Sequence, residues 1–99
     1  MMYDKMRATV KGTDCEGNKF EEKLEFEMLP PKDNNHYGTG YYMNVIRHTK
    51  YYPKPMVELC DVRYERTTDV EILADRYIKN YYGKNAEEVE KQFPSVCLD

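Results

Sequence analysis

Phe20-Glu21-Glu22-Lys23-Leu24-Glu25-Phe26-Glu27-Met28, residues 20–28, is the stretch that decides the fold. Phe20, Leu24, Phe26 and Met28 alternate with Glu21, Lys23, Glu25 and Glu27, the period of a strand with one dry face and one wet face. Glu22 is the single carboxylate on the apolar side, and the pattern places it near the strand's open end. Upstream, Met6, Ala8 and Val10 alternate with Arg7, Thr9 and Lys11 in the same way. Between the two runs lies Asp14-Cys15-Glu16-Gly17-Asn18, where Gly17-Asn18 offers the positive-φ residues that a tight turn needs. The two runs therefore predict a β-hairpin.

Working outward, Leu29-Pro30-Pro31-Lys32-Asp33-Asn34-Asn35-His36 ends the second strand. Prolines remove ladder donors, and Asp and Asn favour turns. With Gly38 and Gly40 this reads as a loop inside one domain, because neither flank could fold alone. Tyr41 to His48, rich in aromatic and β-branched residues, predicts a third strand. Thr49 to Pro55 is a connection stiffened by Pro53 and Pro55. Met56 to Tyr64 is a fourth strand whose alternation Glu58 and Asp61 weaken.

The helix signal that follows is strong. Thr68 and Glu71 have capping-box spacing. Val70, Leu73, Ala74, Tyr77, Ile78 and Tyr81 then fall on one stripe at steps of three and four. Asp69 and Glu71 suit the positive end of the helix dipole, Lys79 suits the negative end, and Gly83 supplies a left-handed stop. Asn85 and Glu88 repeat the capping logic and predict a short second helix, to about Phe93 and closed by Pro94. A sheet with one apolar face needs a cover, and the 70–81 stripe is the cover available. The expected fold is α+β: about four antiparallel strands under a C-terminal helix, with a second short helix, in one domain over residues 1–99.

Composition limits the function classes. The chain has 99 residues, 33% of them charged and 40% hydrophobic, enough for one core and too little for two. A net charge of −3 gives no global field toward nucleic acid or anionic lipid. The charge is uneven: residues 32–66 are the only net-basic third, and Arg47 to Lys54 carries three bases and no acid. Three widely spaced cysteines, Cys15, Cys60 and Cys97, and a start without an apolar leader segment point to free thiols in the cytoplasm. No run approaches the ~20 apolar residues of a membrane span.

No catalytic motif stands out. A Cys60/His48 nucleophile pair is conceivable across two strands, but a free cysteine more often packs as a small hydrophobe. P-loop, nucleophile-elbow and dinucleotide signatures are missing from the chain. His36 and His48 with the scattered cysteines fit no compact zinc spacing. The chain reads as a non-enzyme without metal or cofactor.

Ten tyrosines are the compositional anomaly. In the pairs Tyr41-Tyr42, Tyr51-Tyr52 and Tyr81-Tyr82 one ring can enter the core while the other stays at the surface. Tyr37, Tyr42, Tyr51 and Tyr52 beside Arg47, His48, Lys50 and Lys54 form the expected binding surface. Tyrosine and arginine dominate protein hot spots. The same mixture suits single-stranded nucleic acid, but that normally needs a broader positive groove. A protein partner is therefore expected, with nucleic acid as the alternative, no membrane, and a homodimer left open.

Asp61-Val62-Arg63-Tyr64, Thr67-Thr68-Asp69 and Ala74-Asp75-Arg76-Tyr77-Ile78-Lys79-Asn80-Tyr81-Tyr82-Gly83 resemble the C-terminal half of small uncharacterised proteins encoded by phages and mobile elements of Firmicutes. The resemblance spans about a quarter of the chain. It implies an accessory protein that acts by binding, and it brings no catalytic residues.

Overall fold

The computed structural model describes residues 4–29, 42–67 and 69–94. The predicted hairpin forms from β1 (Lys5–Thr13) and β2 (Lys19–Leu29), paired antiparallel with Ala8 opposite Leu24 and Met6 opposite Phe26. Its turn is tied by Asp14, whose Oδ1 accepts the backbone N–H groups of Glu16 and Asn18 at 2.9 and 2.8 Å. Gly17 alone takes the positive φ, 85°, while Asn18 keeps an ordinary backbone.

β3 (Tyr42–His48) pairs with β2, and β4 (Met56–Asp61) pairs with β3. α1 spans Val70–Tyr82, and a single 3-10 turn, Gly83–Asn85, follows it. The chain then returns as β5 (Ala86–Gln92), antiparallel to β1. The strand order is β4-β3-β2-β1-β5. Among the described residues the sheet has five strands rather than about four, and the short second helix expected after Asn85 is a strand. Ala-Glu-Glu-Val-Glu-Lys-Gln is made of helix formers, but β1 offers an open ladder, and pairing with it outweighs local propensity. Val89 lies opposite Val10 and Lys91 opposite Ala8.

Two details make that return fit. The ladder shifts register between Lys11 and Gly12, and a Cβ at Gly12 would lie 1.8 Å from the Asn85 carbonyl oxygen. Only glycine lets the turn cross β1 this closely. Lys91 then reaches α1, where its Nζ sits 2.9 Å from Glu71 and 3.0 Å from Asp75.

The helix begins one residue later than the predicted capping box. Asp69 is the N-cap, accepting the Glu71 N–H at 3.0 Å, and Thr67 Oγ1 accepts from Asp69. Thr68 lies outside the described residues, as do Tyr37, Tyr41, Gly38, Gly40 and Cys97. Gly83 ends the helix at φ 57°, its N–H donating to Lys79. β4 stops at Asp61, short of the expected Tyr64, because a turn through Arg66 at φ 63° intervenes.

Alternation gives the sheet an inner face toward α1 and an outer face. Met6, Ala8, Val10, Leu24, Phe26, Met43 and Val45 from the inner face bury against Val70, Leu73, Ala74, Ile78 and Tyr82. Tyr77 is half-buried at the margin, its ring edge-on to Phe26 at 5.7 Å. No helix among the described residues is long and apolar enough to cross a membrane.

Candidate functional site

Glu22 lies on the apolar inner face toward one end of the sheet, as its break in the alternation predicts, but it is opposite Val10 and only 6% exposed. Tyr82, from the last turn of α1, donates its hydroxyl to Glu22 Oε1 at 2.6 Å. Arg47 comes inward from β3 to the same oxygen at 3.3 Å, and its guanidinium lies 4.4 Å from the centre of the Tyr81 ring. Burial, and then Glu22, push the Tyr82 hydroxyl well above the ordinary tyrosine range. Burial alone would lower the Arg47 pKa, but Tyr81 and Glu22 more than offset it and hold the guanidinium charged. The carboxylate and the guanidinium are partnered, as buried charges must be.

This cluster floors a cavity of 240 Å³ at the end of the domain where the β1–β2 turn, the β3–β4 connection and the end of α1 meet. Its walls are Tyr51, Tyr81 and Tyr82, and Asp14 closes the rim. Tyr51 donates to Asp14 Oδ2 at 3.3 Å. The Asp14 carboxyl is held below its usual value, first by the Asn18 N–H, so it stands ionised beside the cavity. The connection itself is ordered by Thr49, which accepts from the Tyr51 N–H through Oγ1 and from the Tyr52 N–H through its carbonyl, both at 3.3 Å.

The structure divides the expected surface. Lys50, Tyr51, Tyr52 and Lys54 stay together and exposed, Tyr51 at 61% and Tyr52 at 60%. Lys50 lies over the Tyr51 ring at 5.3 Å and donates to the Lys19 carbonyl. Arg47 joins them from below as part of the cavity floor, not as a free surface cation. His48 points to the outer face and meets Glu25 Oε2 at 2.9 Å. Tyr42 sits at the far end of β3, about 20 Å away at ~3.3 Å per residue, within 6.0 Å of Arg63. Asp14, Glu22, Tyr81 and Tyr82 complete the site. The one signal for Glu22 in the sequence was its break in the alternation.

The chemistry of a Cys60/His48 pair is not assembled. Cys60 faces inward opposite Met43, while His48 faces outward opposite Lys23. Burial, with Glu58 next, pushes the Cys60 thiol up to about 11, the opposite of an activated nucleophile. Among the described residues no three side chains of metal-binding type converge. A larger groove of 460 Å³ runs over the outer face between Arg7, Asn44, Ile46 and Phe93, but its wall pairs Lys5 with Glu27 at 3.5 Å and focuses no single charge.

Compared with protein-family models, curated proteins and solved structures, the chain matches none.

Proposed function

We propose that this chain is a small non-enzymatic cytoplasmic interaction domain, of the accessory kind that phages and mobile elements encode, and that it binds a protein partner through its tyrosine end. The observation that carries the reading is the pair Tyr51 and Tyr52, both about three-fifths exposed beside a walled cavity. Rings that merely sealed the sheet end would be covered.

The cavity suggests what the partner presents. At 240 Å³ it lies below the ~300–1,000 Å³ of ordinary ligand pockets, so it suits one side chain. Aromatic walls, with two carboxylates against one guanidinium, favour a basic side chain. The Thr49 and Asp14 contacts hold the connection in place before binding, which lowers the entropy lost on association. Arg47 and His48 are already engaged by Glu22 and Glu25, which leaves Lys50 and Lys54 of the four predicted bases for phosphates. This favours a protein over the nucleic-acid alternative.

Capture from native cells with wild-type and Tyr51→Ala/Tyr52→Ala baits, each treated with nuclease, tests the proposal. A protein retained by the wild type and lost from the equally folded double variant supports it. Identical captures by both baits would contradict it, and capture abolished by nuclease would support the alternative.

A further inference from the structure

The two edges of the sheet are built differently. β5 is a poor template for another strand: its outer face carries Glu88 and Glu90, and a bulge interrupts its ladder beside Gly12. Charges and bulges are the usual guards of an edge. β4 is guarded less: no bulge interrupts its ladder, and its two carboxylates are already engaged within the same protomer, Glu58 by the Tyr77 hydroxyl at 2.9 Å and Asp61 by Arg63. No strand among the described residues pairs with its free side, and its outer face exposes Val57 at 66% and Leu59 at 58%. Ile46, opposite Val57 on β3, extends the apolar strip inward.

We infer that β4 pairs antiparallel with β4 of a second copy, centred on Leu59, to make a continuous ten-stranded sheet. The register follows from parity, charge and overlap. Centring on Val57 would pair only residues 56–58 of each β4, while centring on Leu59 pairs residues 57–61. A two-fold axis normal to the sheet keeps outer face against outer face, so paired residue numbers must sum to an even value. Centring on Glu58 would set Glu58 against its own copy, which like-charge repulsion disfavours. Centring on Cys60 would set Leu59 against Asp61. Centring on Leu59 places Leu59 against Leu59, Glu58 against Cys60 and Val57 against Asp61, with no like charges directly opposed. Asp61 is compensated within its own copy by Arg63, at 2.6 Å. The acidic β5 edge is a poor partner for Glu58 and Asp61 of β4, so the pairing closes as a dimer instead of extending as a filament.

A ribbon this short makes a small interface and an association in the micromolar range. Sedimentation velocity up to about 500 µM reads it directly: the mass rises from 11.8 kDa toward twice that value. Leu59→Lys, at an exposed position, keeps the wild-type melt and stays monomeric. In a chain carrying Cys15→Ser, Cys60→Ala and Cys97→Ser, Leu59→Cys forms a disulfide-linked dimer under mild oxidation and Val57→Cys does not. A wild-type monomer at the highest concentration overturns the inference, as does a Leu59→Lys dimer or equal cross-linking at both positions.

Discussion

The hydroxyl of Tyr82 and the carboxylate of Glu22, sixty residues apart in the chain, meet at 2.6 Å inside the domain. With Arg47 they join α1, β2 and β3 at one point and form the floor of the proposed binding cavity. Tyr82→Phe leaves the ring packed on Phe20 but deletes the donor. A hydrogen bond to a charged group contributes about 1.5–3 kcal/mol, and the loss is expected in that range by urea titration.

Arg47→Leu should cost more, about 3–5 kcal/mol, because it strands a buried carboxylate. Adding Glu22→Leu should recover part of that loss, since it removes the stranded charge but also takes away the acceptor of the Tyr82 hydroxyl. A denaturant-melt cycle over the four proteins checks this. An additive pair would mean that the two groups act independently.

Gly12→Ala is expected to be among the most damaging small substitutions. Its Cβ would fall 1.8 Å from a backbone oxygen of Asn85, and backbone cannot rotate away as a side-chain tip can. The loss should reach or exceed the ~3 kcal/mol upper end of ordinary overpacking. Hydrogen exchange should then show β5 released first. A stability within ~1 kcal/mol of wild type would mean that the turn crosses β1 elsewhere.

The hairpin and the helix are legible because each is a local pattern: alternation at 20–28 and a three-four stripe at 70–81. At the end of that stripe, however, Tyr82 enters the core and Tyr81 stays half exposed. β5 is not legible, because its residues favour helix and only the vacant ladder of β1 decides otherwise. Glu22 was visible as an anomaly, but its partners lie 25 and 60 residues away, and no local pattern names them. The expected surface is divided for a related reason. Adjacency in sequence kept Lys50, Tyr51 and Tyr52 together, while strand alternation sent Arg47 and His48 to opposite faces.

Cys60 should behave as a protected thiol. With its pKa raised to about 11 from 9.0, its thiolate fraction at pH 8 falls by about a hundredfold. Iodoacetamide should label Cys60 in the native protein slower by that factor than in urea at the same pH. The linkage has a definite sign: between about pH 9 and pH 11 the folded thiol keeps its proton while the unfolded one loses it, so stability falls as pH rises. The raised hydroxyls of Tyr77 and Tyr82 act in the same direction. Cys60→Ala should therefore shallow the alkaline slope without abolishing it. An unchanged slope would contradict the shift.

The claim that Tyr51 and Tyr52 form a contact surface is tested most directly by titrating the purified partner into wild type and the Tyr51→Ala/Tyr52→Ala variant, with a thermal melt of each. The account predicts binding weaker by at least ~2 kcal/mol, about thirtyfold, as hot-spot truncations give, and a melting temperature within about 2 °C of wild type. A lowered melting temperature with undiminished affinity per folded molecule would contradict it.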